Sequence, residues 1–243
     1  VAEEIYESLL MLQHRGQDAA GMVVCEPSGK LNSRKSKGYV RDVFQQNHMS
    51  NLQGNFGIGH VRYPTAGGIG KEFAQPMYVN TPYGISLAHN GNLTNSKKLA
   101  AELFHAERRH INTDSDSEVL LNIFALELSK QEAVFPKPKD FFAAVEKTHL
   151  RINGAYAVVA LITGYGIVAF RDPLGIRPLT IGVRKGKNRN EYVVSSETAL
   201  FSATGFKVLR DVEPGEAVFI DNSGKIFTQQ CFQGSEKKPC LFE

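Results

Sequence analysis

The 243-residue chain has no tryptophan and only three cysteines, Cys25, Cys231 and Cys240. Three thiols at such irregular spacing exclude a disulfide framework and suit a reducing, cytoplasmic setting. No stretch approaches the roughly 18 apolar residues of a membrane-spanning helix, and no secretory pattern is seen. Charge is nearly balanced, at +3. The basic runs "RKSK" (34–37), "ERRH" (107–110) and "RKGKNR" (184–189) are short and scattered. They read as solvated loops and faces, with no basic stripe interleaved with aromatics, so neither a nucleic-acid nor a membrane partner is expected.

Several chemical motifs fail as well. There is no Cys-x-x-Cys, and His105 and His110 are five apart, which does not place them on one helix face, so no metal site is expected in this chain. Cys25 and Cys231 read as small buried side chains. There is no G-x-S-x-G elbow. "TAGGIGKE" (65–72) has Thr65 where a phosphate loop starts with glycine and Glu72 where it needs Ser or Thr. "GIGHVR" (57–62) has Arg62 in place of the third glycine of a dinucleotide fingerprint.

The rest is ordinary globular usage, 42% hydrophobic and 22% charged. Val1, Ile5, Leu9 and Leu12 form one face of an opening helix. Strands follow at 21–25 and 55–63, then a hairpin "MYVN-TPYG-ISLAHN" turned by Pro82 and Gly84. Helices are predicted over about 95–106, from a capping box "SDSE" (115–118), and over about 138–149. Six strands then come in succession, from "GAYAVVALIT" to "KIFTQQ". Strands early, helices central and strands late argue against a doubly wound sheet. They predict an α+β sandwich, two mainly antiparallel sheets between helices.

Polar residues gather where these elements end. Arg62 closes one strand, Asn90 and Gly91 close another, Asp116 opens a helix, and Arg15 and Gly16 precede a strand. A guanidinium can grip a carboxylate through two parallel hydrogen bonds. A carboxylate can grip an ammonium, and an Asn amide beside a Gly N–H supplies two convergent donors for an oxyanion. Singly, each has a plainer reading: a helix-dipole charge for Asp116, a surface ion pair for Arg62, a turn for Asn90-Gly91, structural histidines for His60 and His89. Together they describe a pocket for a small zwitterion.

Seven stretches in order, "LQHRGQDAAG" (12–21), "GIGHVRYPTAG" (57–67), "QPMYVNTPYGISLAHNGNLTN" (75–95), "HINTDSDSE" (110–118), "AFRDPLGIRPL" (169–179), "SSET" (195–198) and "RDVEPGEA" (210–217), resemble the class II glutamine amidotransferases. Within that class the likeness is greatest to the branch whose second domain is a phosphoribosyltransferase. The resemblance implies a four-layer αββα sandwich of the N-terminal-nucleophile hydrolase type over residues 1–243. It implies hydrolysis of glutamine to glutamate and ammonia. The ammonia would then react with phosphoribosyl pyrophosphate to give 5-phosphoribosylamine, the first step of purine synthesis.

It also implies roles. Asn90 and Gly91 would form the oxyanion hole, Arg62 would bind the substrate α-carboxylate with Thr65 nearby, and Asp116 would bind the α-ammonium. Arg15 and Gly16 would lie beside the nucleophile. That nucleophile would be a Cys with a free α-amine, on a strand about ten residues ahead of Val1. The chain alone is therefore expected to be inactive as a glutaminase. The phosphoribosyltransferase domain, with magnesium on phosphoribosyl pyrophosphate, is expected after residue 243, in a homo-oligomer. No cofactor is expected in this domain. Cys240 lies near one ligand position of the iron–sulfur cluster that some family members carry, and the cluster is weighted low. The alternatives are another class II amidotransferase with a different acceptor domain, or a non-catalytic glutamine-binding domain.

Overall fold

Residues 1–63, 70–131, 133–233 and 237–240 are described by a computed structural model. In chain order the elements are α1 (Ala2–Met11), β1 (Ala19–Cys25), β2 (Leu31–Lys37), α2 (Val40–Val43), α3 (Gln46–Met49) and β3 (Phe56–Arg62). The hairpin β4 (Met77–Val79) and β5 (Ile85–Leu93) leads to α4 (Ser96–His105), α5 (Asp116–Ser129) and α6 (Pro138–Arg151). Then follow β6 (Gly154–Ile162), β7 (Gly166–Arg171), β8 (Thr180–Lys185), β9 (Asn190–Ser195), α7 (Ala199–Ala203), β10 (Lys207–Asp211), β11 (Glu216–Asp221) and β12 (Ile226–Gln230).

The strands make a six-stranded sheet, β12-β11-β7-β6-β5-β4, and two three-stranded sheets, β2-β1-β3 and β10-β8-β9. Adjacent strands are antiparallel throughout. The two small sheets together form one layer, so the expected pair of sheets is in fact three. Helices cover both outsides. α4, α5 and α6 pack on one face of the six-stranded sheet through Leu99, Leu103, Leu120, Phe124, Phe141 and Val145 against Ile85, Leu87, Val158 and Phe170. The opposite face packs on the small sheets through Ala157, Ala169 and Val218 against Leu179 and Ile181, and through Ala88 and Leu161 against Val23 and Ile58. α1 and α2 close the outside of β2-β1-β3 with Leu9, Val40 and Val43 over Met22, Val24 and Val61. The result is the four-layer αββα sandwich.

α5 shows why the helical layer holds. Every residue from Val119 to Leu128 is buried, so the helix is enclosed on all sides and its apolar character is not confined to one stripe. Each fully buried Leu or Ile of this kind contributes about 1.5–3 kcal/mol.

Two expectations change and one is narrowed. "RKSK" is a solvated face and not a loop; it is the second half of β2, paired with Ala19–Met22 of β1. "SDSE" is not a capping box. Ser115 caps α5 by accepting from the Ser117 N–H, but Glu118 turns away from it. Its carboxylate accepts the N–H groups of Asn112 and Thr113, both at 2.8 Å, and so ties down the preceding loop. Val1 caps α1 and is 42% exposed, so it lies off the buried face that Leu9 holds.

Candidate functional site

Among the described residues, β3 and β9 each pair on one side only, with β1 and β8 respectively. Between their other edges lies a cavity of about 1170 Å³. Ile5, Ser8 and Leu9 of α1 cover it, and Ala88, Ala157, Val159 and Ile167 of the six-stranded sheet line its floor. Glu4 of α1 accepts from Arg184 of β8, tying the cover to the far wall.

Polar groups line much of the cavity, and β5 supplies some of them. Side chains alternate along a strand. Ile85 and Leu87 face the helices, so Ser86, Ala88 and Asn90 face the small sheets, and Asn90 lines the cavity with Gly91. Asn90 and Gly91 do not close the strand. They continue β5, opposite Ala157 and Tyr156 of β6. Gly91 has φ +147, and a Cβ there would lie 2.0 Å from the Ala155 carbonyl oxygen and 2.9 Å from His89 Nε2. Only glycine lets the strand run on through this point.

His89, facing the other way, is buried and clamped. Its N–H donates to Gln75 Oε1 at 2.7 Å, and its Nδ1 lies 3.0 Å from Ser117 Oγ. Gln75 Nε2 donates to that same hydroxyl at 3.1 Å. Burial holds the His89 pKa below the ordinary range, against the opposing pull of Asp116. Asp116, the first residue of α5, accepts the Leu93 N–H at 2.9 Å. A carboxylate there is also favoured by the helix N-terminus. Strand β5 and helix α5 are thus locked at the point where Asn90, Gly91 and Asp116 meet the cavity.

Arg62 ends β3, where its guanidinium donates to the Asp18 carboxylate and lies 5.3 Å from the Phe73 ring centroid. Arg15 donates to Glu197 Oε1 at 2.7 Å, joining the turn before β1 to the segment after β9. Burial pushes the Glu197 carboxyl up, but bonds from Arg15 and His14 outweigh it and hold the pKa below the usual value. Gly16 does not line the cavity. It seats the turn, since a Cβ there would lie 2.5 Å from the Arg62 carbonyl carbon. Thr65 lies outside the described residues.

Arg15, Arg62, Asn90, Gly91 and Asp116 therefore line one cavity. Gln75, Ser117, Arg177 and Glu197 line it too, and the sequence reading gave them no role. Arg177 is presented by a loop built on its two preceding charges. The buried Asp172 carboxylate accepts the N–H groups of Tyr156, Leu174, Ile176 and Arg177. The Arg171 guanidinium donates to the carbonyls of Gly175, Arg177 and Val212. Buried charges satisfied so completely act as staples. None of the three cysteines lines the cavity. Cys25 and Cys231 are buried, and burial pushes the Cys231 thiol up to about 12.

The chain is similar to known proteins across its full length. The amidophosphoribosyltransferase of Pseudomonas aeruginosa is 55% identical over 243 residues, covering 100% of this chain and 48% of that relative. That of Saccharomyces cerevisiae is 46% identical, with the same coverage. The solved glutamine phosphoribosylpyrophosphate amidotransferase from B. subtilis, complexed with ADP and GMP, is 34% identical with a TM-score of 0.82, covering 98% of this chain and 48% of that one. The chain spans about half the length of the curated relatives it matches. A model of the glutamine amidotransferase domain matches residues 69–203, more than half of the chain, and the chain belongs to that family.

Proposed function

We propose that this chain is the glutaminase half of an amidophosphoribosyltransferase. The observation that carries the reading is a single cavity lined by a guanidinium, a carboxylate and an Asn-Gly pair. These suit the two charges of an α-amino acid and the oxygen of its side-chain amide. Arg62 takes the α-carboxylate and Asp116 the α-ammonium. A thiolate adds to the amide carbon, and the negative oxygen rests on the Asn90 side-chain amide and the Gly91 N–H. The C–N bond breaks, ammonia leaves with a proton returned from the nucleophile's base, and a thioester remains. Water then cleaves the thioester, releasing glutamate and regenerating the thiol.

The thiol comes from an N-terminal Cys upstream of Val1. An extended segment laid between β3 and β9 would find hydrogen-bonding edges on both sides. The ammonia goes to a phosphoribosyltransferase half of the same polypeptide, where it displaces pyrophosphate from phosphoribosyl pyrophosphate. The names and lengths of the relatives support this second half.

The test compares ammonia release from glutamine by this chain, by the chain extended upstream to an N-terminal Cys, and by that extension with Cys→Ser. Only the second should turn over. Equal turnover by the first would overturn the reading, and glutamine binding without turnover by the second would favour a non-catalytic glutamine-binding domain. In the active form, Asp116→Ala and Arg62→Lys should each raise KM at least about tenfold and change kcat far less. Hydrogen bonds to a charged group are worth about 1.5–3 kcal/mol, and uniform binding appears in KM. Lys is chosen at 62 because Ala would strand the buried Asp18 carboxylate. A fall confined to kcat would remove both residues from substrate binding.

A further inference from the structure

A second cavity, of about 560 Å³, opens at the other edge of the sandwich, where β2 and β4 end their sheets. It shares no lining residue with the first. Its polar lining is Ser33, Lys35, Tyr78, Asn80, Tyr83, Ser86 and Thr163, and no carboxylate is among the described residues that face it. The volume lies within the range of small-molecule sites.

Two hydroxyls make it more than a gap between sheets. Ser86, on the face of β5 turned toward the small sheets, is 1% exposed, and its Oγ has no hydrogen-bond partner among the described residues. Thr163 Oγ1, in the turn after β6, is also buried and without one. A buried hydroxyl left without a partner costs about 1–3 kcal/mol, so two on the lining of one cavity are uncommon in a finished core. The Thr163 and Tyr78 hydroxyls sit around a bare stretch of backbone. A Cβ on Gly84 (φ +71) would lie 3.0 Å from Thr163 Oγ1 and 3.2 Å from Tyr78 Oη. The Lys35 ammonium closes one side, donating to the Pro76 carbonyl at 3.0 Å. The residue is exposed on β2, but partial desolvation of its ammonium against the sheet edge holds its pKa below the usual lysine value, with Glu118 acting against this from outside the cavity lining.

A cation, several hydroxyl donors and no facing acid suit a ligand that only accepts hydrogen bonds and brings a negative charge. We propose that this cavity binds a small phosphate-type oxyanion, held by the Lys35 ammonium and the Ser86 and Thr163 hydroxyls. The oxyanion is free phosphate or the phosphate group of a small monoester.

Lys35 itself reports occupancy. An amine with a lowered pKa reacts readily with acetic anhydride, and a bound oxyanion shields and protonates it. In the full-length protein, acetylation of Lys35 and of Lys37, both exposed on β2 but only Lys35 lining the cavity, would be followed by mass spectrometry. Inorganic phosphate and glycerol 3-phosphate would be compared with chloride at equal ionic strength. Either anion should slow Lys35 at least fivefold relative to Lys37. Stronger protection by the ester would identify a monoester site, and equal protection a phosphate site. Ser86→Ala should raise the half-protecting concentration about tenfold with glutamine hydrolysis unchanged. Equal Lys35 rates in all three salts would overturn the proposal, as would protection that Ser86→Ala leaves untouched. A crystal structure in phosphate showing only water against Ser86 would do the same.

Discussion

Asn90→Ala should lower the turnover number for glutamine hydrolysis by about 10²–10³, with KM changed little, because removing one oxyanion donor typically costs that much. The substitution takes away a side-chain amide from the cavity face of β5 and leaves the strand intact. Asn90 sits opposite Ala157 in a ladder made by backbone groups, which alanine preserves. The two charged contacts to substrate, from Arg62 and Asp116, come from β3 and α5 and are untouched. Glutamine should therefore still bind, and the loss should fall on the step where charge appears on the amide oxygen. The measurement is steady-state ammonia release by the form carrying the nucleophile, with glutamine binding measured separately by calorimetry. A normal turnover number would remove Asn90 from the oxyanion hole. A binding defect as large as the rate defect would make it a substrate-positioning group instead.

That the residue could be found without coordinates follows from what its neighbours must do. Polar side chains in a row after Ile85, Leu87 and Ala88 have no place in a core unless they line something, and the family resemblance supplies the something. Their local geometry was not legible in the same way. Asn-Gly is a turn signal by propensity, yet here nine residues of β5 pair in register with β6, and the ladder overrides it. The positive φ that would make a turn serves to carry the strand past the Ala155 carbonyl.

The elements missed from sequence have two causes. β2 and β10 are edge strands of the small sheets, and their side chains are largely solvated, so "RKSK" and "KVLRD" carry little apolar alternation. α7 is only five residues long, too short for a helical period to show. Glu118 had the spacing of a capping box, but two backbone N–H groups of the preceding loop offered it a better partner. The polar residues without an assigned role, Gln75, Ser117, Arg177 and Glu197, act through contacts between segments far apart in sequence. Gln75 holds His89, and Glu197 holds Arg15. No spacing rule could pair them.

The same long-range packing should set the acid limit of the fold. His149 of α6 is 4% exposed, with Nδ1 2.7 Å from the Tyr156 hydroxyl and its ring stacked on that tyrosine at 5.7 Å. Phe170 and Phe232 meet the imidazole edge-on. Burial lowers its pKa to about 4, against roughly 6.5 in an unfolded chain. The folded state therefore binds fewer protons than the unfolded state between these values, and stability rises with pH through that window. The contribution is fully present above about pH 6.5, declines as pH falls, and is gone below about pH 4. Across the window it amounts to about 3 kcal/mol. Urea unfolding at pH 7.5, 5.5 and 4.5 should show this when wild type is compared with His149→Gln, which keeps an acceptor for the Tyr156 hydroxyl and cannot titrate. The variant should be the less stable at pH 7.5, and the gap should close or reverse by pH 4.5. His60, His89 and the carboxylates are common to both proteins, so their titration cancels in the difference. A gap that does not move with pH would mean that His149 takes up its proton in the folded protein as easily as in the unfolded chain.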